Sequence, residues 1–542
     1  MQPKYIFITG GVISSLGKGI TSASIGKLLQ DLGFKVVNIK CEMYVNIDAG
    51  TIRPTEHGEV YVTEDGMECD QDLGTYERFL NQDIKKECFL TTGQIYQEVI
   101  RRERNLEYDG EDVEVVPHVP KEIIRRIKLA TEKSKADFAI VEFGGTVGEY
   151  QQVLFLEADR MMKHELKKDV LNIHIAYLPI PPSVGEMKSK PAQYSVRTLF
   201  SAGIVPDIFI GRSTTYMDQH RMEVLSRNTN IAIENIFSNP DVKSIYEVPL
   251  ILAKQKVAEC VLGFFGVKPR KKASLTNWKK LVKTIKEVKK EIKIGIVGKY
   301  FASGDFSQGD SYISVIEAIK HACWANNVNP IIKWLDSESY EKDPKKVTEL
   351  KECDGIIVPG GYGKRGVEGK INAIKFVREN KIPYLGLCYG LQMAVIEFAR
   401  NICKIKDANT TENEPNTKNP VIDVMEAQKK LLAKKQYGAS NRLGSYECKL
   451  KKDSKTFKAY GKETIFERHR HRYELNNSYK EILEKNGLKI VGHNPYLNLA
   501  EIVELENHPW FIGTQFHPEF KSRLESPHPL FVSFIKAAID NK

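Results

Sequence analysis

Short, nearly continuous apolar runs alternate along this chain with amphipathic stretches of helix length, and the pattern occurs twice. Residues 4–9 form a β-rich apolar run, and after a glycine-rich turn Ile25, Leu28, Leu29 and Leu32 recur at helical spacing up to about residue 32. A second run, 35–39, ends at Lys40, and a third, 138–141, ends at Glu142. Runs without apolar/polar alternation suit strands buried on both faces of a parallel sheet. The rhythm restarts at Lys293: a strand over 293–300, a helix over 312–323, strands over 330–334 and 354–358, and a helix over 367–378. A strand over 384–387 then leads into a helix with Leu391, Val395 and Phe398 on one face. Strands alternating with helices predict an α/β fold of two domains, each a mainly parallel sheet flanked by helices. The expected boundaries are 1–266 for the first domain, 267–291 for a basic linker with a helix, and 292–542 for the second domain. In the linker, 274–291 carries an apolar stripe of Trp278, Leu281, Val282, Ile285 and Val288, with lysines mostly on the other face.

Charge sharpens the reading of that linker. The net charge is +10, and residues 268–293 hold eleven Lys and Arg against two Glu, so the rest of the chain is near neutral. The segment reads either as a docked helix with a solvated basic face or as a nucleic-acid stripe. Stacking aromatics are sparse, which favours the first reading and argues against a nucleic-acid partner. The nine cysteines are scattered with no C-x-x-C pair, so no disulfide framework or zinc site is expected and a reduced, cytoplasmic setting fits. No apolar run approaches the ~18–20 residues that span a bilayer, and the first residues show no signal-peptide pattern, so no membrane association is expected.

The chemistry concentrates around Gly386-Leu387-Cys388-Tyr389-Gly390, a strand–turn–helix nucleophile elbow with a thiol in place of the usual hydroxyl. A lone cysteine is ordinarily a small core residue. Two further stretches turn the reading. The glycine-rich 358–363 segment (VPGGYG) would offer N–H groups to an oxyanion. Downstream, Gln515-Phe516-His517-Pro518-Glu519 places a base, His517, two residues from a carboxylate, Glu519, able to orient it. Nucleophile, base, orienter and oxyanion donor complete an acyl-transfer set. This combination resembles the class I glutamine amidotransferases, which implies that Cys388 attacks a glutamine side-chain amide and releases ammonia.

In the first half, Gly10-Gly11-Val12-Ile13-Ser14-Ser15-Leu16-Gly17-Lys18-Gly19-Ile20-Thr21 joins the first strand to its helix. A glycine loop and a lysine at a helix N-terminus describe a phosphate cradle, although the spacing is not that of a strict Walker motif and a plain turn is the alternative. The stretch 44–79 is dense in Asp, Glu and Gly; Asp70 and Asp72 are candidate Mg²⁺ ligands, against the alternative of an ordinary acidic loop. Glu142 closes a strand and runs into Gly144-Gly145-Thr146-Val147-Gly148-Glu149, the strand-end position where ligands collect in open α/β sheets.

The segments GGVISSLGKGI, YVNID, HGEVYVTEDG, DLGTYERF and GGTVGE, followed by GEMKSKPAQ, RGVEG and ERHRHRYE, together resemble the CTP synthase family over essentially the whole chain. The resemblance implies ATP-dependent amination of UTP to CTP by way of a 4-phosphorylated UTP, with ammonia from glutamine. By matched position, Ser15, Leu16, Gly17, Lys18, Gly19 and Ile20 would cradle ATP, with Lys40, Asp72, Asp241 and Val242. Asp72 and Glu142 would hold Mg²⁺. Ser14, Glu149, Tyr150 and Gln151, with Lys188, Ser189, Lys190, Pro191, Ala192 and Gln193, would line the UTP or CTP site. Gly361, Tyr389, Gly390, Leu391, Gln392, Glu412 and Arg472 match positions that hold glutamine, with Glu412 on its amino group and Arg472 on its carboxylate. The resemblance further implies GTP activation, CTP inhibition, a homotetramer and filaments in some members. His469 and His471 receive no catalytic role, and their Arg/His run reads otherwise as a solvated basic strand.

Departures from the family pattern fall at Glu42-Met43, Glu56, Glu149, Gln151 and Glu223. Glu223 stands where the family places a lysine on the UTP phosphates, and Arg221 or Arg227 is the candidate replacement. Two other readings are a different glutamine-dependent ligase and a nucleotide-gated assembly protein without catalysis. The lysine-rich 185–193 segment argues against the first, and the intact Cys388, His517, Glu519, Lys18 and Asp72 against the second.

Overall fold

The computed structural model describes residues 1–299, 302–303, 306–307, 309–425 and 441–542. The chain divides into two compact units, one of Met1–Asp48 with Thr75–Val282, the other of Ala49–Gly74 with Lys283–Lys542.

In the first unit, a seven-stranded sheet runs in the order Phe89–Thr91, Val36–Glu42, Phe138–Phe143, Lys4–Gly11, Val170–Tyr177, Ile208–Ser213, Ile236–Pro240. Every neighbouring pair is parallel. The strands are apolar nearly throughout because both faces are covered; every residue of Val36–Glu42 and Phe138–Phe143 is buried. Both strands outrun the expected apolar segments and carry Lys40, Glu42 and Glu142 inside. Register explains how these charges are tolerated. Lys40 pairs with Glu142 across the ladder, so the charges compensate one another out of water.

The linker helix spans Thr276–Glu287. Trp278 is buried to 1 % exposure, packs tilted against Phe79 and edge-on against Tyr246, and donates its indole N–H to the Tyr246 carbonyl at 2.8 Å. Lys279, Lys280, Lys283 and Lys286 are exposed. This is a docked helix with a solvated basic face.

The second unit holds a nine-stranded sheet ordered Asn329–Asp336, Glu291–Gly298, Gly355–Val358, Tyr384–Leu387, Phe511–Thr514, Leu499–Leu505, Leu488–Asn494, Arg442–Leu450, Thr464–His471. It is parallel from the first of these strands through Phe511–Thr514 and antiparallel from there on. The strand–helix rhythm that announces the parallel half is absent from the rest, because antiparallel neighbours need only short turns. The hairpin Val60–Val62 and Glu68–Asp70, whose first strand lies in the HGEVYVTEDG stretch, belongs to this unit. Among the described residues, no helix is long and apolar enough to cross a membrane.

Candidate active sites

The second unit brings Cys388 and His517 together by register. Cys388 follows Tyr384–Leu387 and His517 lies just beyond Phe511–Thr514; these strands are parallel neighbours with Leu387 opposite Thr514. Cys388 takes φ +49°, in the region L-residues rarely occupy, and the helix Tyr389–Asn401 starts immediately after it. The flanking glycines are demanded by space. A Cβ at Gly390 would lie 2.1 Å from the Val358 carbonyl oxygen, and one at Gly386 would lie 2.5 Å from the Tyr384 hydroxyl. The turn leaves Cys388 at the N-cap of that helix.

His517 Nδ1 lies 2.7 Å from Glu519 Oε1. Its other ring nitrogen is buried without a hydrogen-bond partner among the described residues. Burial alone would lower the imidazole's pKa, but Glu519 and the Cys388 sulfur outweigh it and push His517 up to about 10. Cys388, His517, Glu519, Gly360, Gly361 and Arg472 line one cavity of about 290 Å³. Two contacts to the sulfur are new: the Gln515 side-chain amide donates at 3.6 Å, and the thiol faces the Arg470 carbonyl at 3.8 Å. Gln515 sits in the same short motif as His517, but its spacing alone assigns it no role.

The glutamine-site candidates separate into two groups. Gly361 and Arg472 reach the cavity. Glu412 accepts the Gly363 N–H at 2.7 Å, and burial raises its pKa. Tyr389 donates its hydroxyl to the Gly363 carbonyl at 3.1 Å. Gln392 is buried, donating to the Tyr473 carbonyl at 2.8 Å, and Leu391 is a core side chain, so residues 389–392 can offer substrate chiefly their backbone.

The Arg/His run is not a solvated strand. Arg468, His469 and His471 are all buried. Alternation sends the arginines to one face, where Arg468 donates to the Tyr61 hydroxyl and the Val62 carbonyl and pairs with Glu64 at 3.0 Å, and Arg470 pairs with Glu68 at 2.7 Å. On the other face His469 Nδ1 and His471 Nε2 share a proton position at 2.9 Å, and burial and the nearby Arg442 drive both pKa values well down. The acidic stretch 44–79, whose Asp70 and Asp72 are the candidate Mg²⁺ ligands, thus contributes Tyr61, Glu64 and Glu68 to the second unit.

In the first unit, the phosphate-cradle candidates form a tight loop. Gly17 takes φ +85° and caps the helix Lys18–Asp31. At Gly11 a Cβ would lie 1.5 Å from the Ser195 hydroxyl, so only glycine fits. Lys18 Nζ is buried and donates to the Gly145 carbonyl at 2.6 Å, which ties the cradle to the segment after Glu142. Arg212, unremarkable in sequence, organises the ATP-site candidates: it donates to the carbonyls of Leu16 (3.1 Å) and Asn239 (2.6 Å) and pairs with Asp241 at 2.8 Å. Val242 follows Asp241 directly.

Lys40 Nζ lies 3.0 Å from Glu142 and 3.2 Å from Glu42, and the Tyr76 hydroxyl donates to Glu142. Glu42 and Glu142 are buried carboxylates whose hard oxygens are of the kind that suits a divalent cation. Asp72 lies in the first turn of the helix Gln71–Leu80.

The UTP-site candidates lie at two strand ends. Glu149 accepts the Thr146 N–H at 2.8 Å and the Gln151 amide at 2.8 Å, while Ser14 and Tyr150 are exposed. Ser189 precedes the helix Lys190–Ser201, which begins with Lys190, Pro191 and Ala192, and it accepts the Gln193 amide at 3.0 Å. Glu186 pairs with both Lys188 and Arg221 at 2.6 Å, whereas Glu223 accepts only from Gln219 among the described contacts. Of the two candidate replacements, Arg221 stands in the lysine-rich cluster.

Residues 4–267 match the family model described as CTP synthase N-terminus, and residues 309–537 match Glutamine amidotransferase class-I. The CTP synthase of Symbiobacterium thermophilum is 48 % identical over 99 % of this chain and 98 % of its own length. That of Carboxydothermus hydrogenoformans is 48 % identical with the same coverage. Among solved structures, the acivicin-bound glutaminase domain of Trypanosoma brucei CTPS is similar at 37 % identity, covering 46 % of this chain and 94 % of its own, with a TM-score of 0.43.

Proposed function

The chain belongs to the CTP synthase family of glutamine-dependent ligases, and on that premise we propose the following division of labour. Residues 1–266 form the synthetase domain, 267–291 the linker and 292–542 the glutaminase domain. In the glutaminase domain, Cys388 Sγ attacks the side-chain amide carbon of glutamine. The carbonyl electrons move to an oxyanion that the 360–361 backbone receives, and His517 gives a proton to the departing ammonia. Water, deprotonated by His517, then cleaves the thioester to glutamate. Glu519 keeps the imidazole oriented. Glu412 and Arg472 hold the amino and carboxylate ends of glutamine as a charge-matched pair.

In the synthetase domain, Ser15–Ile20 cradle ATP, with Asp241 and Val242 brought beside the loop by Arg212. Lys18 and Lys40 neutralise charge on the transferring phosphoryl group. Asp72 and Glu142 would hold Mg²⁺, which when bound would offset negative charge on the transferring phosphoryl group. The 4-oxygen of UTP takes the γ-phosphoryl of ATP; ammonia then adds at C4 and phosphate leaves, yielding CTP. Ser14, Glu149–Gln151 and Lys188–Gln193 hold UTP and, in feedback inhibition, CTP. GTP activation and a homotetramer complete the reading.

One observation carries it: Cys388 at φ +49° lines the same cavity as His517, whose Nδ1 is 2.7 Å from Glu519. The test is CTP formation from UTP and Mg·ATP with glutamine or ammonium as donor. Wild type should use both donors and Cys388→Ala only ammonium. No CTP from either donor, with folded protein and GTP present, would remove UTP as the acceptor, and glutamine use by Cys388→Ala would remove Cys388 as the nucleophile.

A further inference from the structure

The glycine loop beside Cys388 is held by a residue that no part of the mechanism uses. Lys299 is 6 % exposed, and its ammonium donates to the carbonyls of Tyr362 and of Gly363, the latter at 3.0 Å. The peptide unit between Tyr362 and Gly363 is therefore gripped at both ends, its C=O by Lys299 and its N–H by Glu412 at 2.7 Å. The next carbonyl, that of Gly363, takes the Tyr389 hydroxyl as well, at 3.1 Å. The Tyr362 side chain is also fixed, since its hydroxyl donates at 2.9 Å to the same Arg470 carbonyl that faces the Cys388 sulfur.

A glycine-rich loop can flip a peptide unit at small conformational cost. A flip of the Gly360–Gly361 unit would turn a carbonyl where an N–H is needed, and an oxyanion hole works only if its donors are in place before charge develops. We propose that Lys299 is a positioning residue for glutamine hydrolysis: by holding the carbonyls of Tyr362 and Gly363 it keeps the preceding Gly360–Gly361 backbone set to receive the oxyanion formed at Cys388. The inference rests on the glutaminase reading above. It also ties substrate to loop, because Glu412, the candidate partner of the glutamine amino group, holds the other end of the same peptide unit. Burial draws the Lys299 pKa down to about 8, and either protonation state still donates an N–H to a carbonyl.

The test compares two reactions of the same sulfur in full-length protein. Glutamine hydrolysis passes through an oxyanion; alkylation of Cys388 by iodoacetamide does not. In Lys299→Met, glutamine-dependent kcat should fall about 100-fold, the scale of a lost oxyanion donor. Alkylation at Cys388, followed by peptide mass spectrometry, should stay within about threefold of wild type, and ammonium-dependent CTP formation should be retained. A kcat within about threefold of wild type, or hydrolysis and alkylation falling together, overturns the role. If Lys299→Met also loses ammonium-dependent activity, Lys299→Gln becomes the test, since it keeps a polar side chain in the buried site but is too short to hold the two carbonyls as the ammonium does. It should lower kcat at least about fivefold with alkylation kept, and an unchanged kcat overturns the role. Wild type and Cys388→Ala run alongside separate the two failures. If wild type does not hydrolyse glutamine, the glutaminase reading and this inference fall together; if it does and Lys299→Met matches it, only Lys299 loses its part.

Discussion

Cys388 donates its backbone N–H to the carbonyl of Thr514 at 2.7 Å, continuing the parallel ladder one residue beyond the strand that ends at Leu387. That bond fixes the base of the elbow and places the sulfur opposite the segment bearing His517 and Glu519. The thiol's position is thus a property of the sheet register, and disturbing the turn should cost glutamine chemistry selectively.

Gly390→Ala tests this. The added methyl would sit 2.1 Å from the Val358 oxygen, and a backbone atom of a central strand cannot give way at small cost. Glutamine-dependent CTP formation should fall at least about 100-fold while ammonium-dependent formation persists. Equal loss with both donors would mean that the substitution unfolds the chain instead of disturbing one site.

The His517 charge has a pH signature in stability. Its folded pKa, about 10, lies above the ordinary 6.5, so the folded state binds the proton more tightly. The resulting stabilisation is complete below pH about 6.5 and is lost as pH rises through about 10. The margin of wild type over His517→Gln in urea midpoint should therefore shrink steadily across that window. A margin that stays constant from pH 6 to 10.5 would rule out the raised pKa.

Arg221 pairs with Glu186, which also carries Lys188, and so stands where Glu223 cannot supply a cation. Losing a charge-assisted phosphate contact costs roughly 1.5–3 kcal/mol. Arg221→Ala should raise the KM for UTP by about ten- to hundredfold and leave glutamine hydrolysis assayed without UTP unchanged. A UTP KM within twofold of wild type would leave the departure at Glu223 without this compensation.

Trp278 docks the linker helix. Truncating a buried Trp removes its packing, and here also an N–H bond to the Tyr246 carbonyl. Trp278→Ala should destabilise the chain by about 3–5 kcal/mol, read as a lower urea midpoint. Lys283→Ala, on the exposed face of the same helix, should change it by less than about 0.5 kcal/mol.

Much of this was present in the order of residues. Apolar runs buried on both faces marked the parallel strands, and the residues closing them, Lys40, Glu142 and Cys388, were visible as polar ends to apolar segments. The Gly-x-Cys-x-Gly spacing carried its own geometry, because only glycines tolerate the crowding that the turn creates. The stripe through Trp278 and Val282 likewise announced a docked helix. Local patterns of this kind are legible because a strand or helix sets its periodicity within a few residues. What only tertiary structure decided are relations across long separations. Register brought Cys388 next to His517 and enclosed the Arg/His run, although its composition suits solvent. The packing of residues 49–74 gave Arg468 and Arg470 their partners in Tyr61, Glu64 and Glu68. The contacts of Arg212 with Leu16 and Asp241, and of Lys299 with the glycine loop, join residues that share no local pattern. A single lysine or arginine in sequence does not say which carbonyl it will meet; that is set by where the folded backbone places polar groups away from water.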